Sequence, residues 1–178
     1  MLAAALVGMA AVLCYGIDRM WVDHHGFNGA VWSIFGRVLD RFGFIRTGGN
    51  CYWTGGPTLD LGAPLYHPHP PGLARGPAWA FRLFGVHEGV ARAVPVLFSL
   101  LGVALLTALL AKKLGADAAA AVFPVLLAAP GFSYFGRMVN PEPIVLGISL
   151  MFFCGLLLRP RGSLATCALL LLILAAPL

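Results

Sequence analysis

Charge is scarce in this chain. Only 11% of its 178 residues are Asp, Glu, Lys or Arg, against about 25% in soluble globular domains. That excludes a water-soluble core as its main architecture. Cysteine is scarce too: of the four, Cys14, Cys154 and Cys167 lie inside apolar runs, where they act as small apolar side chains. With only Cys51 in a loop, a disulfide framework is excluded. The formal net charge is +5, but the basic residues are scattered, which excludes a nucleic-acid partner. The sequence has no N-x-[ST] sequon and no internal repeat. The first apolar run has no basic stretch ahead of it, so it reads as a retained helix and not as a cleaved signal peptide.

What the chain has in plenty is apolar length. A bilayer core takes roughly 20 apolar residues per helix. Runs at residues 2–17, 93–111, 118–135, 144–158 and 164–178 therefore predict an all-α, multi-spanning transmembrane protein. The last run ends without a polar residue to anchor it, so residues 1–178 are expected to be the N-terminal part of a larger membrane domain.

Orientation follows from the short loops. Lys112 and Lys113 lie between the second and third runs, and Arg159 and Arg161 between the fourth and fifth. Basic short loops mark the cytoplasmic side, which puts residues 18–92 and the stretch GRMVNPEP outside the membrane. All five histidines and six of the seven acids then share the outer face, Asp117 being the exception.

The outer loop of residues 18–92 is rich in aromatics, which argues against disorder. From Asn28 to Phe44, Val31, Ile34, Phe35, Val38, Leu39 and Phe42 recur on one side, with Ser33, Arg37, Asp40 and Arg41 on the other. That pattern predicts a helix lying at the bilayer surface or packed on the rest of the protein. Residues 47–64 carry turn signals. A second short helix is expected over 73–84, distorted by Pro77, and Glu88 and Arg92 have the i, i+4 spacing of a local ion pair.

The candidate chemistry sits in three places. In WVDHHGFNGA, Asp23 comes directly after the first run; its carboxylate can act as a general base or, with His24, as part of a divalent-cation site, His25 being a further candidate. It could equally cap the helix that follows. In LYHPHPPG, prolines fix the backbone around His67 and His69 and present both rigidly, which suits an anionic group or a metal. In GRMVNPEP, Arg137 needs a partner near the bilayer, and phosphate or Glu142 would serve.

These elements together resemble the GT-C membrane glycosyltransferases: an Asp after the first membrane helix, an outer loop with interfacial helices and an H-P-P element, FGVHEGVAR, then YFGRMVNPEP. The nearest resemblance is to the group of protein O-mannosyltransferases and lipid A aminoarabinose transferases. It implies a GT-C-like fold with interfacial helices in the long first outer loop, in an integral, multi-pass protein of a bacterial or archaeal plasma membrane. It also implies transfer, on the extracytoplasmic face, of a sugar from a polyprenyl-phosphate donor to a protein, lipid or glycan hydroxyl, usually with inversion. By position, Asp23 matches the catalytic acid, while His69, with His67 beside it, and Arg137 match contacts to the donor phosphate. Where many members have two adjacent acids, this chain has Asp23 followed by His24, so a divalent metal would rest on a mixed pair. The competing reading is a transporter or assembly subunit that only binds a lipid phosphate. The apolar runs carry no mid-span charge, which favours the enzyme.

Overall fold

The structure is a computed structural model and describes residues 2–22, 24–54, 56–66 and 72–158. The described residues fall into two compact units, one drawn from residues up to 15 together with those from 95 onward, and one from residues 16 to 94. Eight α-helices are described: α1 (Leu2–Cys14), α2 (His24–Phe42), α3 (Phe44–Thr47), α4 (Gly72–Phe84), α5 (Glu88–Leu114), α6 (Ala116–Ala128), α7 (Pro130–Ser133) and α8 (Pro141–Leu158), with a 3₁₀ turn at Phe135–Arg137. Their only β feature among the described residues is an isolated antiparallel bridge, Tyr52 with Leu65.

Among the described residues, α5, which enters the first unit at Pro95, is the one helix both long and apolar enough to cross a membrane. At about 1.5 Å per residue its length exceeds the ~30 Å hydrocarbon core. The expected span over 2–17 stops at Cys14, because the chain turns left-handed at Gly16, φ 66°, a conformation that ends helices and suits glycine. The expected span over 118–135 is not one straight helix: α6 and the segment Pro130–Arg137 meet at a bend of 78°. The break has a local cause. The residue before a proline is driven from the helical region, and Ala129 is extended, at φ −83°, ψ 108°. Pro130 then opens α7, a position where its missing N–H costs nothing. Pro124, by contrast, is held inside α6. α1 and α8 are shorter apolar helices, and the expected run over 164–178 lies outside the described residues.

The second unit is built on the packing of α2 against α4. α2 buries Val31, Phe35, Val38 and Leu39 of the stripe read from the sequence, with Trp32 beside them, while Ile34 and Phe42 are only half-buried; α4 buries Leu73, Ala74, Pro77, Ala78 and Phe81. The two backbones come close because α2 has no side chain at Gly36, where a Cβ would lie 2.9 Å from Pro77 Cβ and 3.2 Å from the Ala78 nitrogen. Pro77 is thus accommodated inside α4 as a packing residue.

Between these helices the chain is fastened by short-range bonds. The Thr47 hydroxyl donates to the Gly43 carbonyl at 3.0 Å and accepts from the Gly49 N–H at 3.2 Å. The Trp53 N–H donates to the Pro64 carbonyl at 3.0 Å, and the Tyr66 N–H to the Cys51 carbonyl at 2.9 Å.

Gly36→Val should wedge α2 from α4 and cost about 1–3 kcal/mol, as overpacking does. Gly8→Ala, inside α1 where a Cβ meets nothing within 4 Å, should leave the melting temperature the same or slightly higher, since alanine is the better helix former. Equal melting temperatures for the two variants would refute the close α2–α4 approach.

Candidate functional site

Residues 17–22 have no regular backbone pairing, yet the second unit holds them at several points. Arg92, one turn into α5, donates to the Ile17 carbonyl at 2.6 Å and also to the Arg19 carbonyl. Its guanidinium lies over the Trp21 ring, 3.8 Å from the centroid. The Trp21 ring in turn rests on Gly29 of α2, where a Cβ would overlap it. The Asp18 carboxylate sits against Gly89 in the first turn of α5, the end at which a helix favours negative charge. The i, i+4 spacing of Glu88 and Arg92 suggested a local pair, whereas these bonds tie Arg92 to main chain some seventy residues away in sequence.

This clamp ends one residue short of Asp23. Asp23 itself, like His67 and His69, lies outside the described residues. His24 and His25 are the first two residues of α2. The histidine–proline stretch is bracketed by two fixed points. Ahead of it, Tyr66 packs on Trp32 and Phe35 of α2, at ring-centroid distances of 5.5 and 5.2 Å, and Trp53 lies edge-on to Phe35 at 5.2 Å. After it, Leu73 and Ala74 are buried in α4.

Arg137 belongs to the first unit. It sits at the end of the 3₁₀ turn and donates to the Tyr15 carbonyl, one of the carbonyls left without a helical partner at the end of α1. With Ala11, Val12, Tyr15 and Ser133 it lines an open pocket of about 440 Å³. Glu142 is exposed in the first turn of α8, and Arg137 takes the Tyr15 carbonyl and not Glu142 as its partner among the described residues. A guanidinium has five N–H donors, so one carbonyl leaves capacity for an anion. Of the three groups expected to converge, Asp23, His69 and Arg137, only Arg137 is therefore placed by the described geometry. No three His, Cys, Asp or Glu side chains among the described residues gather as a metal site.

Cys51, read as a loop thiol, is buried. Burial pushes its pKa up to about 11, against the opposing pull of the Arg75 charge. An unfolded thiol loses its proton first, so this group withdraws stability as pH rises from the ordinary thiol range towards 11.

No family model matches the chain, and no curated protein does. Among solved structures, the crystal structure of ArnT from Cupriavidus metallidurans in the apo state matches with a TM-score of 0.69 at 22% identity, covering 96% of this chain and 30% of that one. The chain thus spans about a third of the length of the protein it resembles. At this identity the likeness is one of fold, and it bears out the GT-C-like architecture expected from the residue pattern.

Two outcomes test the local geometry. Gly29→Ala should expel the Trp21 indole and raise acrylamide quenching of the emission that Trp21→Phe removes; unchanged quenching would mean that the indole does not rest there. Alkylation of Cys51 in the folded protein should stay slow through neutral pH and rise only as pH approaches about 11; fast alkylation near pH 8 would contradict its burial.

Proposed function

We propose that this chain is the N-terminal part of a multi-spanning membrane glycosyltransferase that moves a sugar from a polyprenyl-phosphate donor to a protein, lipid or glycan hydroxyl on the extracytoplasmic face. The observation that carries the reading is the fold likeness to ArnT over 96% of the chain, in a sequence whose candidate acid, imidazoles and arginine lie in outer segments. Local geometry supports it: the Arg92–Trp21–Gly29 clamp fixes the approach to Asp23, and the aromatic cluster fixes the approach to His67.

In the proposed step, Asp23 accepts the proton of the acceptor hydroxyl as its oxygen attacks the anomeric carbon. The bond from that carbon to the phosphate oxygen breaks, and the electron pair leaves with the polyprenyl phosphate. His69, His67 and Arg137 stabilise the charge that builds on the leaving phosphate. Attack opposite the leaving group inverts the anomeric centre. A divalent ion, where one is used, would draw on Asp23 and His24 and polarise the phosphate. His25 and Glu142 take no part in the step. The donor reaches such a site from the bilayer, which accounts for phosphate-binding groups at the ends of apolar helices.

Asp23→Asn in the full-length protein should lower sugar transfer from a radiolabelled polyprenyl-phosphate donor by about 10²-fold or more, the usual scale for a general base. Wild-type activity in that variant would remove Asp23 from the chemistry. His69→Ala and Arg137→Ala should raise the donor KM and depress kcat; donor kinetics unchanged in both would remove the phosphate contacts.

A further inference from the structure

α4 has a second face that its packing on α2 does not use. Ala74, Pro77, Ala78 and Phe81 are buried, while Arg75, Trp79 and Arg82, spaced by four and three residues, line one side of a cleft of about 310 Å³. Phe44 of α3 and Asp40 of α2 line the other side. The Arg75 guanidinium lies over the Phe44 ring, 4.4 Å from its centroid. Around this cleft large apolar side chains face outward: Trp79 is 69% exposed, Phe84 73% and Ile45 94%. Large apolar side chains exposed on α3 and α4, next to a cleft, are the mark of a contact surface.

Three observations say what covers it. The first is position. Phe84 precedes Glu88, the first residue of α5, by four residues, so at 3.3–3.6 Å per residue the end of α4 lies within about 14 Å of the start of the helix suited to cross the bilayer. The second is the mixture of side chains, since Trp and Tyr with Arg occupy the headgroup level of a membrane, aromatic bodies towards the acyl chains and charges towards the phosphates. The third is charge: two arginines, Arg75 and Arg82, line the cleft against one acid, Asp40. Two guanidinium forks in one cleft match a phosphate, which a point charge would bind without fixing its orientation.

We propose that this cleft binds the phosphate headgroup of an anionic phospholipid, with Arg75 and Arg82 on the phosphate and Trp79 and Phe44 against the glycerol and upper acyl chain. The site lies towards the C-terminal end of α2, about 24 Å along the helix, at 1.5 Å per residue, from the end that follows Asp23. It is independent of the proposed transfer reaction, and its occupant would anchor α3 and α4 at the membrane surface.

The test uses the full-length protein in nanodiscs of phosphatidylcholine mixed with phosphatidylglycerol, one of the two carrying brominated acyl chains. Trp79 emission is obtained by difference from Trp79→Phe. Brominated phosphatidylglycerol should quench it at least about threefold more strongly than brominated phosphatidylcholine, since the anionic lipid would be held locally. Arg82→Gln, at an exposed position, should reduce that preference, and Arg75→Gln with Arg82→Gln should abolish it, while Arg75→Lys with Arg82→Lys keeps part of it. Equal quenching by the two lipids in the unaltered protein would overturn the proposal, as would a preference that survives loss of both arginines. Soluble glycerol 3-phosphate is added in a further arm. If it removes the preference, the cleft takes a free phosphate ester and the lipid assignment falls.

Discussion

The geometry around the candidate acid depends on one side chain, Arg92. Residues 17–22 lie after α1 has ended and before α2 has begun, so their carbonyls have no helical donors. Arg92 supplies donors to two of them and lays its guanidinium on Trp21. Hydrogen bonds to a charged group contribute about 1.5–3 kcal/mol each, and a cation–π contact about 0.5–2 kcal/mol. Both figures fall towards their lower ends for a half-buried group, yet together they exceed what propensity or turn chemistry offers a six-residue connector. Because Arg92 is part of the first turns of α5, the path of this connector is tied to the start of the helix best suited to cross the membrane.

The same economy of means recurs elsewhere. Arg137 does in its own unit what Arg92 does in the other: it satisfies a main-chain carbonyl near the end of α1. Arginine outnumbers lysine ten to two in the sequence, and both lysines sit together at the end of α5. A delocalised guanidinium is more weakly hydrated than an ammonium and has more donors in fixed directions. Near a membrane boundary it can bond a carbonyl and still offer N–H groups to a phosphate, a combination suited to a protein whose proposed substrate arrives within the lipid.

The sequence made the helices legible and left the clamp hidden. Periodicity located α2 as the stripe from Val31 to Phe42, and the second short helix expected over 73–84 runs from Gly72 to Phe84. The apolar run over 93–111 lies within α5, which starts earlier, at Glu88, because the charged Glu88 and Arg92 bound a helical turn that an uncharged run leaves out. The run over 118–135 misled for the opposite reason: its composition is uniformly apolar, but the backbone constraint imposed by Pro130 on Ala129 outweighs composition. Of the site, the position of Arg137 near the end of an apolar run could be read, but its partner could not. Trp21, Gly29 and Arg92 were not legible as a group, since their meeting depends on tertiary packing across more than seventy residues, and each alone looks ordinary.

α2 joins these findings. Its N-terminal end follows Asp23 and carries Gly29, the bare position on which Trp21 rests. Its middle presents Trp32 and Phe35 to Tyr66, the residue before the histidine–proline stretch, and its last turn borders the basic aromatic cleft. A helix is stiff over nineteen residues, so a shift or tilt at one end is carried to the other, whereas the connectors on either side would absorb it. Bare glycine surface where a ring or a second helix must approach, and aromatic surface where a loop must be fastened, give this one rod its separate attachments. The connector that ends at Val22, the loop that ends at Tyr66 and the arginine-lined cleft are therefore attached to a common frame, at positions set by the register of residues along α2.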